Sequence, residues 1–132
     1  MELQERRTGQ VVIIEVYGHV DTDGGEHGWL LRRVRALLDQ GDTRILLNVG
    51  RVPNVDSLLL GAVVHGYVSA IRRGGALKLL HVTKRFRELL HVTKLDTVLE
   101  VFETEEAATG SFQPPARLMA ESPRLSNEEE ET

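Results

Sequence analysis

The spacing of apolar residues changes along the chain, and each change predicts a new element of secondary structure. Residues 11–17, VVIIEVY, are mostly β-branched and end at a glycine, which predicts a strand. Over about 22–40 the apolar residues recur at helical spacing until Gly41, which predicts a helix. Residues 44–49, RILLNV, are almost wholly apolar, as is typical of a strand covered on both faces.

Residues 57–73, SLLLGAVVHGYVSAIRR, are apolar nearly all round. This pattern indicates a helix that is either buried or presents an apolar patch to a partner. The stripe expected to face inward is Leu60, Val64, Tyr67 and Ile71. Because successive helical residues lie ~100° apart, Leu58 and Leu59 cannot both face inward with that stripe. At least one of the two is therefore expected to be exposed.

The hexapeptide LLHVTK occurs at 79–84 and again at 89–94. The first copy ends a predicted strand at 76–82, and its Thr83 stands at the N-cap position of a predicted helix over 84–92. The second copy ends that helix, before a last apolar strand at 98–102. Since context decides the structure of a short apolar run, we interpret the repetition as a coincidence of composition.

Strands thus alternate with helices, with a weak first strand at 3–7 and a further helix near 104–110. The order predicts an α/β fold, a single domain over residues 1–112 whose mixed, mostly parallel sheet of four to five strands is covered by about four helices. Residues 113–132 carry five acidic and two basic residues and are rich in Pro, Ser and Glu. We expect them to form a disordered acidic tail.

Composition narrows the function classes. The chain has no cysteine, which excludes disulfides, thiolate zinc sites and cysteine nucleophiles. It shows no secretory signal and no apolar run of the ~20 residues that span a bilayer. Its body is near neutral, without the basic footprint of a nucleic-acid binder. We therefore expect a cytoplasmic protein with no membrane insertion and no direct contact with nucleic acid.

No set of residues predicts catalysis or metal binding. The isolated histidines are His19, His27, His65, His81 and His91, and none has a second histidine three or four residues away. No nucleophile elbow, phosphate loop or zinc-protease motif occurs in the chain. No catalytic residue, no metal, no cofactor and no enzymatic activity are predicted.

The stretch VPNVDSLLLG, residues 52–61, places an Asp–Ser pair at the start of the apolar helix. Asp56 or Ser57 can cap the free N–H groups of its first turn. The same geometry would leave the Ser57 hydroxyl at a positive helix end, where a phosphate is tolerated. A phosphate would add ~1.5–2 negative charges. On residue type alone, capping is favoured over modification.

Three stretches in register resemble the STAS domain, the fold of sulphate transporters and anti-sigma factor antagonists. They are VVIIEVYGHVD, RILLNVGRVPNVDS and GGALKLLHVTKRFRELLHVTKLDTVLEVFETEEAA. The resemblance covers about residues 3–110, and the order and spacing of the stretches carry it. Three residues depart from the family pattern. Leu59 and Lys94 stand where glycines are usual, the latter at an expected left-handed cap, and Asn48 stands where Asp is usual.

The resemblance implies a non-enzymatic bacterial regulator of transcription that binds an anti-sigma factor or serine-protein kinase. It implies that Ser57 is the phosphoacceptor of this phosphoprotein. The implied partner-binding residues are Asp21, Asn54, Asp56, Leu58 and Leu59. A homodimer is compatible with it. The alternative is a STAS subunit that docks on a transporter ATPase, a permease or a stressosome-like assembly, with Ser57 only a helix cap.

Overall fold

The computed structural model describes residues 2–17, 25–52 and 57–112. The elements in chain order are β1 Glu2–Thr8, β2 Val11–Tyr17, α1 Gly25–Asp39, β3 Arg44–Arg51, α2 Ser57–Arg72, β4 Ala76–Leu80, α3 Lys84–Val92, a short 3-10 helix Leu95–Thr97, β5 Val101–Phe102 and α4 Glu105–Ser111. The strands form one sheet in the order β1-β2-β3-β4-β5. Strand β1 is antiparallel to β2, and the remaining pairs are parallel. The predicted α/β fold with a mixed, mostly parallel sheet is confirmed.

The sheet is covered on both faces, but unequally. Helices α1, α2 and α3 enclose the larger core with alternate residues of the strands, among them Ile14 and Leu47. On the opposite face Ala108 and Phe112, at the end of α4, pack over a smaller cluster that includes Ile13 and Leu46. The apolar runs of β2 and β3 are continuous because both strands are buried on both faces.

The two copies of LLHVTK lie in different elements, as predicted. The first copy ends β4, and its Thr83 Oγ1 accepts a hydrogen bond from the Phe86 N–H at 3.1 Å, which caps α3. The second copy ends α3 at Val92. Strand β4 stops at Leu80, two residues earlier than predicted, because His81 adopts a left-handed backbone with φ of 58°. An extended strand cannot continue through that conformation.

The last strand is also shorter than predicted. Strand β5 covers only Val101–Phe102 rather than 98–102, because Leu95–Thr97 close a 3-10 turn and the Leu99 N–H donates back to the Leu95 carbonyl. Helix α1 begins at Gly25, and residues 18–24 lie outside the described part of the chain. The predicted tail, residues 113–132, also lies outside it.

The prediction of which α2 residues face inward is wrong. The residues that α2 buries completely are Leu59, Val63 and Ala70, whereas Ile71 is 49% exposed. Of the predicted stripe only Leu60 is buried. The helix is rotated by about one residue, ~100°, from the predicted orientation.

Close packing explains this rotation. A Cβ built on Gly66 would lie 3.2 Å from Leu77 Cδ1 and 3.6 Å from Val34 Cγ1. Helix α2 therefore approaches β4 and α1 most closely at a residue without a side chain. Gly66 and Ala70 line this side of the helix, and the bulkier Val68 and Ile71 are left outside, although apolar content alone favours placing them inside.

Lys94 follows α3 in a left-handed conformation, with φ of 62° and ψ of 18°. Glycine adopts this conformation without the steric cost of a Cβ atom, which is about 1 kcal/mol for other residues. We expect Lys94→Gly to raise the free energy of unfolding by roughly 0.5–1 kcal/mol, measured by urea denaturation. Arg85→Gly, inside the exposed face of α3, is the control and should lower it by about 1 kcal/mol. A destabilised Lys94→Gly protein would contradict the expectation.

Candidate functional site

The carboxyl ends of the parallel strands β2, β3 and β4 meet at one edge of the sheet, and α2 begins beside them at Ser57. In open α/β sheets this edge is the usual place for a binding site. Ser57 is the first residue of α2 and is exposed. The first turn of α2 carries no acidic side chain. Free N–H groups give such a helix end a partial positive charge, so the exposed hydroxyl stands where an added phosphate is tolerated.

The other predicted site residues fall into two groups. Asp21, Asn54 and Asp56 lie outside the described residues, as does the side chain of Leu58. Leu59 is described and is completely buried in the main core. A buried side chain cannot contact a partner, so the prediction of Leu59 as a contact residue is wrong. It faces inward because α2 is rotated from the predicted orientation.

An exposed apolar face on α2 continues from Ser57 and includes Ile71, which the sequence predicted to face inward. Residues seven apart lie almost in line on a helix, which places Val64 and Ile71 below Ser57. Val68 and Ile71 are 41% and 49% exposed, and Val64 is half-buried. The signal in the sequence was that α2 is apolar nearly all round, so that some apolar residues had to lie outside. The orientation of the helix decides which ones they are.

At the end of β2, Tyr17 lies opposite Arg51 at the end of β3. The Arg51 guanidinium carbon lies 5.7 Å from the centroid of the Tyr17 ring, a cation–π contact. Arg51 is exposed, and it forms no ion pair with the other described residues. It lies at this edge of the sheet, six residues before Ser57 in the sequence.

Beneath the edge, Glu15 and Arg6 together link three elements. Its carboxylate accepts a hydrogen bond from the Tyr17 hydroxyl at 2.9 Å and another from the Arg6 guanidinium at 3.1 Å. Arg6 also donates to Glu105 at the start of α4, at 2.8 Å. The Tyr17 hydrogen bond, and after it the Arg6 guanidinium, lower the pKa of Glu15 despite its partial burial. This network fixes β1, β2 and α4 around the carboxyl edge.

The lowered pKa of Glu15 predicts a pH dependence of stability. Because the folded-state pKa lies below the ordinary value of 4.5, the stabilisation is fully present above pH 4.5 and is lost as the pH falls through the folded value. We expect Glu15→Gln to be less stable than the parent at neutral pH and to lose less stability between pH 5 and pH 3, measured by thermal melts across that range. Glu88→Gln, an exposed residue outside this network, should follow the parent. Parallel curves for Glu15→Gln and the parent would contradict the expectation.

The end of β3 lies very close to the segment that follows β4. A Cβ built on Gly50 would lie 2.6 Å from the carbonyl oxygen of His81. The Gly50 N–H donates to the Asn48 side-chain oxygen at 3.1 Å. Asn48 therefore supplies the acceptor oxygen that an Asp would supply at the same position. Glycine at 50 lets β3 approach the segment after β4, just before the chain reaches Ser57.

The described part of the chain contains no group of three or more His, Cys, Asp or Glu side chains placed to hold a metal ion. Among its helices none is long and apolar enough to cross a membrane.

The family model described as "Mlab, STAS domain" matches residues 3–101, and the chain therefore belongs to the STAS domain family. A Thermotoga neapolitana protein, named as a candidate anti-sigma factor antagonist, is 30% identical over 76 residues, which are 58% of this chain and 67% of that protein. The resemblance found in the sequence is confirmed, and the chain is a STAS protein of the anti-sigma factor antagonist type.

Solved structures agree on the fold. A candidate anti-sigma factor antagonist from Thermotoga maritima superposes with a TM-score of 0.72 at 21% identity, covering 85% of this chain and 95% of its own. The Bacillus cell fate determinant SpoIIAA in its phosphorylated form gives 0.68 at 22% identity, covering 85% and 100%. An anti-sigma factor antagonist from Mycobacterium paratuberculosis gives 0.74 at 15% identity, covering 86% and 94%.

Proposed function

We propose that this protein is a non-enzymatic antagonist that binds an anti-sigma factor with serine-kinase activity and is released when Ser57 is phosphorylated. The observation that carries the proposal is the exposed Ser57 at the start of α2, in line with the exposed apolar residues Val68 and Ile71. One face of one helix then carries both the switch and the contact surface. The phosphorylated form of SpoIIAA, a protein of the same fold, makes such a modification chemically reasonable for this one.

The modification itself is a phosphoryl transfer. The Ser57 hydroxyl oxygen attacks the γ-phosphorus of ATP bound to the kinase, the bond to the bridging oxygen breaks, and ADP leaves. The hydroxyl proton passes to a base of the kinase. This chain contributes an accessible hydroxyl at a helix end that favours the anionic product.

The contact surface that we propose extends from Ser57 along α2. Apolar residues surrounded by polar ones are typical anchors of protein interfaces, and the exposed face of α2 has this composition at Val64, Val68 and Ile71. Asp21, Asn54, Asp56 and Leu58 remain proposed contacts because they neighbour Ser57 in the family pattern. Leu59 is not among them, because it is buried.

Incubation of the protein with Mg-ATP and the anti-sigma serine kinases of its source organism tests the proposal. We expect mass spectrometry to find a single phosphate on Ser57 and none on the Ser57→Ala protein. Ser69→Ala, which changes another serine of α2, is the matched control and should be modified like the parent. A lack of phosphate on Ser57 with every such kinase would contradict the switch and favour a STAS subunit docked on a transporter.

A further inference from the structure

A groove of about 320 Å³ runs between α1 and α2, below the Ser57 end of the helix. It is lined by Arg35, Val64, His65, Val68, Ser69 and Arg72. Its floor is partly apolar, since Val64 is half-buried and Val68 is 41% exposed. Polar and apolar surface therefore alternate within one cleft.

The two arginines that line this groove, Arg35 and Arg72, have no acidic partner among the described residues. Arg35, His65 and Arg72 are exposed, and within the described part of the chain none of them forms an ion pair or hydrogen bond. Other arginines nearby are paired: Arg33 with Glu5, and Arg73 with Asp39 at 2.5 Å. The groove thus combines the positive charges of Arg35 and Arg72 with an apolar floor. Its chemical complement is an acidic segment that also carries apolar side chains.

Residues 113–132 have this chemistry. They hold five acidic and two basic residues, and their apolar residues include Leu118, Met119 and Leu125. They start after Phe112, which packs on the opposite face of the sheet from the groove but close to the end of α2. Ser111 and Phe112 line a small cavity together with Gly74 and Gly75, and these glycines come shortly after Arg72 in the chain.

Residues 113–132 are long enough to reach the groove from their point of attachment to the domain. The sixteen residues after Phe112, up to Glu128, span roughly 53 Å when extended, whereas the 16 residues of α2 span about 24 Å. The acidic run 128–131 can therefore reach any point of the groove. A segment joined to its site by a short linker is present there at an effective concentration of about 1 mM, so a weak contact is enough to populate the bound state.

We propose that residues 113–132 occupy the α1–α2 groove, with glutamates against Arg35 and Arg72 and an apolar residue over Val68. The contact is electrostatic, because the segment is acidic and the groove carries two arginines without an acidic partner among the described residues. If the proposed function holds, this segment competes with the partner for the exposed face of α2. The occupancy itself does not depend on the Ser57 switch, and its test uses this chain alone.

A nitroxide label placed through Ser126→Cys tests the contact in the full chain, because no other cysteine competes for the label. With the label in its oxidised, paramagnetic form, we expect the NMR amide signals of Val68, Ser69 and Arg72 to lose intensity. The loss should be larger than that of Arg85 and Glu88 on the exposed face of α3. Concentrated NaCl should remove the difference, since the contact is between charges.

Two sets of variants decide the outcome. Replacement of Glu128, Glu129, Glu130 and Glu131 by Gln, and the double variant Arg35→Gln/Arg72→Gln, should each abolish the selective loss. Arg85→Gln, which removes an exposed arginine of α3, should leave it unchanged. Equal loss on α2 and α3, no loss on either, or a selective loss that survives both sets of variants would overturn the proposal. None of these results would bear on the phosphorylation of Ser57.

Discussion

Phosphorylation of Ser57 is expected to weaken partner binding by several kcal/mol while the domain keeps its stability. At the exposed start of α2 the helix dipole favours an anion by roughly 0.3–1 kcal/mol, so the folded domain is not destabilised. Within an interface built on the exposed face of α2, the same phosphate would lose its hydration beside apolar residues. A charge buried without a partner costs roughly 3–5 kcal/mol, which corresponds to a loss of affinity of two orders of magnitude or more.

Substitutions at Ser57 separate the two effects. Ser57→Asp should melt within a few degrees of the parent and bind the partner more weakly. Ser57→Ala should bind like the parent and resist phosphorylation, and if Ser57 is the cap it loses up to ~1 kcal/mol of stability. Thermal melts and binding titrations of the three proteins measure both quantities. A Ser57→Asp protein that fails to fold would contradict the idea that this position tolerates an anion.

The second large effect is expected in the core. Leu59→Ala should lower the free energy of unfolding by about 2–5 kcal/mol, because it removes a completely buried side chain and leaves a cavity between α2 and the sheet. Ile71→Ala, on the same helix but 49% exposed, is the matched control and should change stability by roughly 0.5 kcal/mol or less. Urea denaturation of both proteins measures the difference.

The same two variants also test the proposed contact surface, because their expected effects on partner binding are the reverse of their effects on stability. Ile71→Ala should weaken partner binding, whereas Leu59→Ala should bind normally under conditions where it remains folded. Similar destabilisation by both substitutions would contradict the orientation of α2. Normal binding by Ile71→Ala and by Val68→Ala would remove this face of α2 from the contact surface.

The order of the elements was predictable because the apolar period changes sharply along the chain. Residues 11–17 and 44–49 are short continuous apolar runs, and both strands are buried on two faces. Thr83 combines a capping side chain with the helical spacing that follows, and it caps α3 as expected. Lys94 adopts the left-handed conformation that the family pattern requires at that position.

The orientation of α2 was not predictable in this way, because a helix that is apolar nearly all round has no distinctive stripe. Its rotation is set by the close approach at Gly66, which depends on Val34 and Leu77 in distant parts of the chain. Similarly, the contact between Gly50 and His81 joins residues 31 positions apart in the sequence. The residues around Gly50 and Gly66 in the sequence do not indicate such contacts. As a result, Ser57 could be proposed from its neighbours in the sequence, whereas the exposure of Val68 and Ile71 could not be predicted.

The central claim is that one phosphate on Ser57 controls binding. Calorimetric titration of the partner kinase with the unphosphorylated protein and with the stoichiometrically phosphorylated protein, each shown by thermal melting to be folded, tests this claim most directly. The unphosphorylated protein should bind, and the phosphorylated protein should bind at least a hundredfold more weakly, which is a difference of about 2.7 kcal/mol or more. Equal affinities of the two folded forms would contradict it.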